Sequence, residues 1–483
     1  MNASLITLEL CVIALGAIVL LADFWVLPER KKYLAYAVIA ALTGLFVISV
    51  SGAGICSLGG SAFHGSFVND ALAVFFKRFF LLAAILTLFI VLEFSSRVPA
   101  AISEYYALVL FALAGMMFAA SANDFTMLFV SIELITVTFY VLTSFQRAKT
   151  ASLEAGVKYL ILGALSSAFM VLGIALIWGT TGKLNFSDLA AVAPQFLDSK
   201  LFLLGCLLVL SGLGFKIAAF PFQIWAPDVY QGSPTPTTAF LAIGSKAAGF
   251  VLLLRFLFTA IPAVSSKWSG LLMAISAITI LYGNLCALPQ RNLNRLMGYS
   301  SISHAGYLML GVAALSSAGQ AAVLYYLGGY LFTVIAAFTV IAIVFKHLDT
   351  EDISSLAGLH RRSPLLAGAL TLSMVSLAGI PPLAGFFGKF LLLKAVIDQG
   401  AVNHTYYTLA FVALAGVVIS IYYYFNVVRA IYWSRDVADL SPIEVDGAAK
   451  LSLVVSIAGI FWLGLFPNTV LDLANQAVQA LGH

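Results

Sequence analysis

Six ionisable residues of this 483-residue chain lie inside long apolar stretches, where a charge is costly. A charged side chain at the centre of a membrane helix costs about 2.5 to 3.5 kcal/mol on insertion scales, and such groups usually mark a path for ions or protons. The six residues are Glu133, Lys158, Lys216, Lys246, His304 and Lys389. Their amine, carboxyl and imidazole groups can all bind and release a proton, so they indicate a proton or ion route.

The composition predicts an integral membrane protein. Hydrophobic residues make up 62% of the chain and charged residues 10%, which leaves too little polar surface for a water-soluble body. Apolar stretches recur along the chain, each near the ~20 residues that an α-helix needs to cross the hydrocarbon of a bilayer. The predicted spans are 3–27, 33–52, 74–94, 101–120, 124–145, 154–179, 201–230, 236–259, 268–288, 296–314, 318–345, 364–398, 405–431 and 449–470. The fold class is therefore all-α and polytopic, with about 14 transmembrane helices in one membrane domain, 1–483.

Basic residues are unevenly distributed between the loops. With the N-terminus outside, thirteen Lys and Arg fall in inside loops and three in outside loops. Lys77 and Arg78, at the outer start of the third span, count against this orientation without reversing the asymmetry. An excess of Lys and Arg marks the cytoplasmic side, so both termini are predicted to lie outside. The formal charge of +4 reflects this loop bias and indicates no nucleic-acid partner.

The cysteines and histidines give no sign of a redox cofactor. Four cysteines are scattered without a CxxC pair, and His304 is the single histidine within a predicted span. A transmembrane haem would need an axial ligand set that this pattern does not supply. The sequence has no glycine-rich dinucleotide loop, P-loop or HExxH. We expect no metal and no cofactor in this chain.

Two predicted spans are long and contain proline in their middle. The seventh reads LSGLGFKIAAFPFQIWAPDVY around Pro221, and the twelfth reads LSMVSLAGIPPLAGFFGKFLLL around Pro381 and Pro382. Proline removes a backbone donor and clashes with the preceding turn, so both helices are predicted to break near mid-membrane. One such break could be a packing kink, but Lys216 and Lys389 lie within seven residues of the two breaks. A lysine beside each break favours an ion site.

The two breaks also indicate an internal repeat. They are about 160 residues and five spans apart, and an odd number of helices inverts the second copy of a unit. Inverted repeats with paired broken helices are a common construction of ion-translocating folds. We predict two inverted five-helix repeats, each containing a broken helix. The divisions are 1–100 for helices 1–3, 101–260 for helices 4–8, 268–431 for helices 9–13 and 449–470 for helix 14.

Glu133 and Lys216 are candidates for an acid–base pair. An intramembrane acid can merely bond a neighbouring helix, but a basic partner on another helix favours function. An adjacent carboxylate controls how readily a buried lysine keeps its proton, so the pair would form a switchable carrier. Lys246 lies near the middle of its span, where its amine cannot easily reach the interface. Lys389 follows the second break and is assigned to the same route.

The other intramembrane charges have competing explanations. Lys158 lies nearer the inner end of its span and could extend its amine to the interface. His304, in YSSISHAGYLML, could transfer protons or be hydrogen-bonded for structural reasons. Arg255 and Lys394 lie near span ends and are expected to be interfacial anchors. Three acids outside the predicted repeats are left without a role: Glu9, Asp23 and Glu93.

Five segments carry a family resemblance that covers essentially the whole chain. They are SLEAGVKYLILGALSSAF at 152–169, FPFQIWAPDVYQGSPTPTTAFLAIGSKAAGF at 220–250, MGYSSISHAGYL at 297–308, EDISSLAGL at 351–359 and SLAGIPPLAGFFGKF at 376–390. Together they resemble subunit N of bacterial NADH:quinone oxidoreductase, respiratory complex I, the counterpart of mitochondrial subunit 2. That family is related to the other antiporter-like subunits of the complex and to subunits of Mrp-type sodium/proton antiporters.

The resemblance implies a proton-translocating translocase subunit in a bacterial inner membrane. Other membrane and peripheral subunits would be its partners and would hold NADH, FMN, iron–sulfur clusters and quinone. Gln223 departs from the family pattern, since many relatives have histidine after FPF, and a glutamine cannot titrate. By this resemblance, Glu133 and Lys216 match the family's acid–base pair, and Lys246 matches its connecting lysine. Lys389 matches the terminal lysine of the family's second half-channel. Lys158 and His304 match positions along the family's hydrated central axis.

Three alternatives stay open from the residues. A cation/proton antiporter, as a single chain or a subunit of a multisubunit one, would use the same lysines but usually carries acids at the second break. A solute carrier would need polar groups at the breaks to recognise its substrate, and few are present. A purely structural membrane subunit would leave the buried lysines unexplained.

Overall fold

A computed structural model describes residues 3–51, 59–98, 101–346, 351–433 and 441–481. Its helices up to residue 267 are α1 (Thr7–Ala22), α2 (Lys31–Val50), α3 (Ala71–Phe94), α4 (Ile102–Ala120), α5 (Phe125–Thr143), α6 (Thr150–Thr181), α7 (Phe186–Val192), α8 (Lys200–Ile217), α9 (Trp225–Gly232), α10 (Thr235–Phe240), α11 (Lys246–Leu254) and α12 (Pro262–Lys267). Two π-helical segments, Leu241–Ser245 and Arg255–Ala260, flank α11 and make Thr235–Ala260 one continuous span.

The second half of the chain is also helical. Its helices are α13 (Ser269–Ala287), α14 (Leu293–Ala313), α15 (Ser317–Val344), α16 (Leu359–Arg362), α17 (Pro364–Ala378), α18 (Ala384–Gln399), α19 (Thr405–Trp433), α20 (Gly447–Leu465) and α21 (Asn468–Val478). A two-stranded antiparallel hairpin, β1 (Ser61–Ala62) and β2 (Phe67–Val68), lies between α2 and α3.

Twelve helices among the described residues are long and apolar enough to cross a membrane. The two remaining predicted spans correspond to α14, which carries three serines and a histidine, and to the pair α17 and α18, which are short because their span is broken. The prediction of an all-α polytopic fold with about 14 crossings is therefore confirmed. The division of these helices into two inverted repeats stays a prediction.

Both predicted breaks are present. α8 ends at Ile217 and α9 begins at Trp225, while α17 ends at Ala378 and α18 begins at Ala384. The residues that follow α8 and α17, Ala218 and Gly379, have positive φ angles of 59° and 86°, which turn the chain out of the helix. Prolines fill the two gaps, as the sequence indicated. The backbone N–H and carbonyl groups freed at each break need partners, because no water is available in the bilayer core.

Side chains supply those partners. At the first break, Trp225 Nε1 donates to the Phe215 carbonyl at 3.0 Å, and the Phe220 N–H donates to Thr279 Oγ1 at 3.0 Å. At the second break, Lys389 Nζ donates to the carbonyls of Leu377 at 2.7 Å and Ala378 at 3.2 Å. The break therefore fixes the position of the lysine amine.

Burial separates the protein interior from the lipid-facing surface. The most apolar part of Thr235–Ala260 is entirely buried, and nearly all of α14 and α15 is buried with it. α6 and α19 instead expose large apolar side chains, including Ile161, Trp178, Phe411, Val418 and Tyr422. An apolar outward face is what a lipid environment requires, and the buried polar groups lie within the apolar interior.

The two membrane faces can be told apart by their contacts. On one, Arg97 donates to the carbonyls of Phe345 at 2.8 Å and Lys346 at 2.6 Å, which joins the α3–α4 connection to the end of α15. We call this the Arg97 face. On the opposite face, the Val68 N–H donates to the Ser121 carbonyl at 2.9 Å, which joins the hairpin to the α4–α5 loop.

Two ion pairs lie inside the protein near the hairpin face. Arg255 is 1% exposed, contacts Asp70 at 2.7 Å and 3.0 Å, and donates through Nε to the Ala120 carbonyl at 2.9 Å. Arg255 was predicted to be an interfacial anchor; it does lie near one end of its span, but it is buried and is held by Asp70 inside the protein. Glu9 and Lys77 form a second pair at 2.7 Å, with both side chains buried.

Candidate functional site

Glu133 and Lys216 lie near each other but do not form the predicted ion pair. Lys216 Nζ donates instead to the hydroxyl of Thr136, one turn along α5 from Glu133. Glu133 Oε1 accepts a hydrogen bond from Ser167 Oγ of α6 at 2.5 Å. Glu133 still exerts an electrostatic attraction on Lys216. The acid and the base therefore interact through space and through α5, not by direct contact.

Lys216 is close to the helix that carries Lys246. A methyl group at Gly249 would lie 2.8 Å from Ile217 and 3.2 Å from Lys216 Cβ, so α8 and α11 approach closely at this point. Small residues allow such an approach between membrane helices. Gly249 is three residues after Lys246, which is one helical turn. The end of α8 at the first break therefore lies beside the helix that carries Lys246, and Lys216 lies there with it.

Lys246 reaches across to α14. Its Nζ donates to the backbone carbonyl of Ser301 at 2.6 Å and also contacts the Ser301 hydroxyl. Ser301 Oγ is in turn 2.7 Å from the hydroxyl of Tyr230 on α9. Lys246 is 3% exposed, so its ammonium depends on these protein partners. Ser301 therefore connects a lysine of the first predicted repeat to a helix of the second.

His304 lies one turn further along α14, between two tyrosines. Its Nε2 is 2.9 Å from the hydroxyl of Tyr424 on α19, and its Nδ1 contacts the hydroxyl of Tyr326 on α15. The Tyr424 hydroxyl is also 2.5 Å from Ser300 Oγ. A hydroxyl can donate or accept, so this cluster can hold the imidazole in either protonation state.

Lys389 occupies the second break. Besides its two carbonyl contacts, Nζ lies 4.8 Å from the centre of the Tyr307 ring, a cation–π distance. Both Lys389 and Lys246 act electrostatically on His304, which lies between them in the fold. Among the described parts of the chain, no carboxylate lies within 4.0 Å of the amine of Lys246 or of Lys389. The described groups that contact these two amines are therefore neutral.

Lys158 is placed differently from the other lysines. It is 43% exposed and forms ion pairs with Glu154 at 2.7 Å and Asp228 at 2.8 Å. Asp228 also pairs with Arg295 of α14 at 2.6 Å. Its exposure agrees with the expectation that the amine can reach the interface, and two acids neutralise its charge. The cluster ties α9, the second half of the broken span, to α6 and α14.

Several groups of this site were not predicted. The hydroxyls of Thr136, Tyr230 and Ser301 were missed because serine, threonine and tyrosine are common in membrane helices and carry no charge. Tyr326 and Tyr424 lie in the tyrosine-rich runs LYYLGGY and IYYYF, which were the available signal. Gln223, next to the first break, is 2% exposed.

The geometry defines what the site can do. Glu133, Lys216, Lys246, His304 and Lys389 lie near the middle of their helices or at a break, hence near mid-membrane. Hydroxyl groups contact four of these residues, Glu133, Lys216, Lys246 and His304, and can exchange protons with them. Within the described residues there is no group of three His, Cys, Asp or Glu placed to hold a metal ion. Fold and site together define an antiporter-like polytopic membrane protein.

Comparison with known proteins identifies the family. Residues 122–420 match the family described as "NADH:quinone oxidoreductase/Mrp antiporter, TM". The protein named NADH-quinone oxidoreductase subunit N of Trichlorobacter lovleyi is 40% identical over 483 residues, covering 99% of this chain and 98% of the relative. The chain belongs to the transmembrane family of NADH:quinone oxidoreductase and Mrp antiporter subunits.

Solved structures agree with this assignment. A chain of respiratory complex I from Thermus thermophilus is 32% identical, covers 96% of this chain and 98% of its own length, and superposes with a TM-score of 0.80. A chain of the Mrp complex from Dietzia sp. DQ12-45-1b superposes with a TM-score of 0.82 over 100% of this chain and 98% of its own. At 22% identity, this second likeness concerns the fold alone.

Proposed function

We propose that this chain is the proton-translocating subunit N of a bacterial NADH:quinone oxidoreductase. Its full-length similarity to proteins of that name supports the assignment to this complex. NADH oxidation and quinone reduction take place in partner subunits, which hold the FMN, iron–sulfur clusters and quinone. This chain couples those reactions to proton movement, and it lies in the inner membrane with both termini outside.

One observation carries the proposal. The buried amines at the two broken helices, Lys216 and Lys389, and the buried groups Lys246 and His304 are each held by neutral hydroxyl or carbonyl groups. A buried charge is retained only when it is paired or has a function, and Lys246 and Lys389 have no acid partner within 4.0 Å in the described chain. A line of titratable groups with switchable partners suits proton transfer.

The proposed sequence of events starts at Glu133. A conformational or electrostatic change in partner subunits alters the electric field that Glu133 exerts at Lys216. Lys216 then releases its proton toward Lys246. Ser301 passes the proton to the His304 cluster, and Lys389 delivers it to the outside. Lys158 has a positioning role in this proposal, because its ion pair with Asp228 holds α9 in place.

Lys389→Met in the assembled complex tests the proposal. Methionine keeps an unbranched apolar side chain but has no titratable amine. We expect the variant to lose proton pumping and to slow NADH:quinone turnover, because a blocked route holds back the coupled redox step. Electron transfer from NADH to an artificial acceptor in the peripheral subunits should be unchanged. Both electron activities and pumping are measured in the same membranes.

Lys394→Met is the matched control. Lys394 is on the same helix but is exposed, so its loss should leave pumping unchanged. Wild-type pumping by Lys389→Met would remove this lysine from the route. If turnover depended on sodium ions, or if the chain co-purified without flavin and iron–sulfur subunits, the alternative of a cation/proton antiporter subunit would replace the proposal.

A further inference from the structure

A buried amide lies where α13 packs against α14 and α19. It belongs to Asn284, whose relative exposure is 0%. Asn284 Nδ2 donates to the Ile280 carbonyl at 2.9 Å, and Oδ1 accepts from the Tyr423 hydroxyl at 3.0 Å. A backbone carbonyl can only accept, so it fixes which end of the amide is the donor. Tyr423 is therefore a donor to Asn284, and a hydroxyl has a single hydrogen to give.

The same amide contacts a second tyrosine, Tyr307 of α14. The Tyr307 hydroxyl donates to the Ala413 carbonyl at 3.1 Å, so its oxygen accepts from Asn284 Nδ2. A methyl group at Gly416 would lie 2.8 Å from the Tyr307 oxygen and 3.0 Å from Asn284 Nδ2, so glycine lets α19 close over this contact. The ring of Tyr307 lies against Lys389.

The Tyr423 hydroxyl also contacts the hydroxyls of Tyr424 and Ser303. Ser303 gives its hydrogen to the Ser300 carbonyl at 2.8 Å, and Tyr423 gives its own to Asn284. The hydrogen between the two tyrosines must therefore come from Tyr424. These groups form a series with one direction, which we call the Asn284 chain: Tyr424, Tyr423, Asn284 and Tyr307.

The tautomer of His304 follows from this direction. Tyr424 gives its hydrogen to Tyr423, so its oxygen accepts from His304 Nε2, 2.9 Å away. In a neutral imidazole one nitrogen carries a hydrogen and the other accepts. Nε2 is then the nitrogen with the hydrogen, and Nδ1 accepts from the hydroxyl of Tyr326. The lone pair that an additional proton can take is on Nδ1.

The Tyr326 side of His304 leads toward Lys389. Tyr326 packs against α18, where a methyl group at Gly388, the residue before Lys389, would clash with its ring. On the Nε2 side, the Asn284 chain ends on the backbone carbonyls of Ile280 and Ala413. Carbonyls have no hydrogen to give, so this chain cannot reverse to exchange protons with Nε2.

We propose that Asn284 is a positioning residue of the proton route. It fixes the direction of the Asn284 chain, which keeps the hydrogen on His304 Nε2 and leaves Nδ1, on the Tyr326 side, to take up and release the proton. The amide does not titrate, so Asn284 itself carries no proton. The inference rests on the proposed function, because it names the nitrogen through which that route passes.

Two isosteric substitutions in the assembled complex test this role. Asn284→Thr supplies a hydroxyl that can donate to the Ile280 carbonyl, four residues back in the helix, and accept from Tyr423. Asn284→Val has the same shape without the hydroxyl. We expect NADH:quinone turnover and proton pumping to be roughly tenfold lower in Asn284→Val than in Asn284→Thr, because valine leaves a buried hydroxyl without its acceptor. Equal effects would mean that Asn284 serves packing alone, which overturns the proposal.

A second pair of variants tests the choice of nitrogen. Tyr326→Phe and Tyr424→Phe each remove one hydrogen bond to His304, so a purely structural role predicts equal effects. We expect Tyr326→Phe to abolish pumping and Tyr424→Phe to retain part of it, because Nδ1 then still has its relay hydroxyl. Equal losses, or a greater loss in Tyr424→Phe, would contradict the assignment of Nδ1.

Tyr406→Phe is the control for the tyrosine variants. Tyr406 is on α19 and donates to the Ala313 carbonyl at 2.9 Å, outside the Asn284 chain, so its loss should leave pumping unchanged. Failure of the inference is distinguishable from failure of the route. Normal pumping by Lys389→Met would overturn the proposed route. Loss of pumping in Lys389→Met with equal activities of Asn284→Val and Asn284→Thr would overturn the role of Asn284 alone.

Discussion

At the scale of single residues, the partners of the buried amines are neutral groups. Lys216 contacts the hydroxyl of Thr136, and Lys246 contacts the hydroxyl and carbonyl of Ser301. A carboxylate partner would favour the protonated amine and hold the proton. An ammonium has three N–H donors and a neutral amine keeps two, so a hydroxyl oxygen can accept from either form and the contact survives a change of charge. Neutral partners therefore keep these lysines in place without fixing their charge.

Thr136→Val tests this role, because valine has nearly the same shape and no hydroxyl. Lys216 would lose its contact on α5, and a hydrogen bond to a charged group contributes about 1.5 to 3 kcal/mol. Since about 1.4 kcal/mol corresponds to tenfold in rate, we expect pumping-coupled turnover to fall roughly tenfold to a hundredfold. The measurement is NADH:quinone turnover together with proton uptake in inverted membrane vesicles.

Thr138→Val is the control for that experiment. Thr138 is on the same helix and donates to its own backbone at the Leu134 carbonyl, 2.6 Å away, as Thr136 does at Ile132. The two variants therefore lose the same intrahelical hydrogen bond, and only Thr136→Val loses the lysine contact. Equal effects of both variants would mean that the hydroxyl serves the helix and not Lys216.

At the scale of helices, close packing holds the second break. A methyl group added at Gly385 would lie 1.8 Å from the Ser376 carbonyl oxygen, so α18 cannot approach α17 with any larger residue there. The same approach brings Lys389 to the last carbonyls of α17. Glycine at this position is therefore part of what locates the lysine.

Gly385→Ala should separate the two half-helices and displace Lys389. We expect loss of pumping and lower thermal stability of the purified complex, because a backbone contact cannot yield without moving a helix. Gly368→Ala is the control on α17, where an added methyl group meets nothing within 4 Å. That variant should pump normally and be slightly stabilised, since alanine is favoured over glycine in helices by about 0.5–1 kcal/mol. Normal pumping by Gly385→Ala would show that the break tolerates a wider gap.

The sequence predicted well where the helices lie along the chain, but it did not predict how each helix is rotated about its own axis. Proline in a long apolar span was enough to predict both breaks, because proline acts on its own backbone. The contact of Lys216 with Thr136 depends on how α5 and α8 face each other, which no local pattern encodes. Arg255 shows the same limit: its partner Asp70 is 185 residues away, and pairing at that separation has no local signal.

At the scale of the whole molecule, that Arg255–Asp70 pair joins the N-terminal helices to the rest. Asp70→Asn removes the charge but keeps an oxygen that can cap α3 at Ala73, where Asp70 now accepts at 2.8 Å. Breaking a buried pair leaves the other charge uncompensated, and partial exposure of Asp70 reduces the cost to about 2–3 kcal/mol. We expect a lower melting temperature of the purified complex.

Asp198→Asn provides the comparison for that measurement. Asp198 is fully exposed and lies 4.0 Å from Lys267 on the surface, so its loss should not change the melting temperature. An unchanged melting temperature in Asp70→Asn would mean that the N-terminal helices are held by apolar packing alone.

The orientation of the whole chain is testable by cysteine labelling. In a variant without its four native cysteines, Ser4→Cys and Asn475→Cys should react with a membrane-impermeant reagent added to intact bacteria after permeabilisation of the outer membrane alone. Ala148→Cys, exposed in the α5–α6 loop, should be protected until the inner membrane is opened. Protection at either end of the chain would overturn the proposal of two outside termini.

α14 carries Ser300, Ser301 and His304 within two turns, and it receives Lys246 from one side and the tyrosines of α15 and α19 from the other. The two halves of the proposed route are thus connected in series, and every proton has to pass both. The slowest transfer then sets the overall rate, and slowing a second transfer changes that rate little. A small rotation of α14 would break the contacts at Ser301 and at His304 together, so this single helix could serve as the switch for both halves.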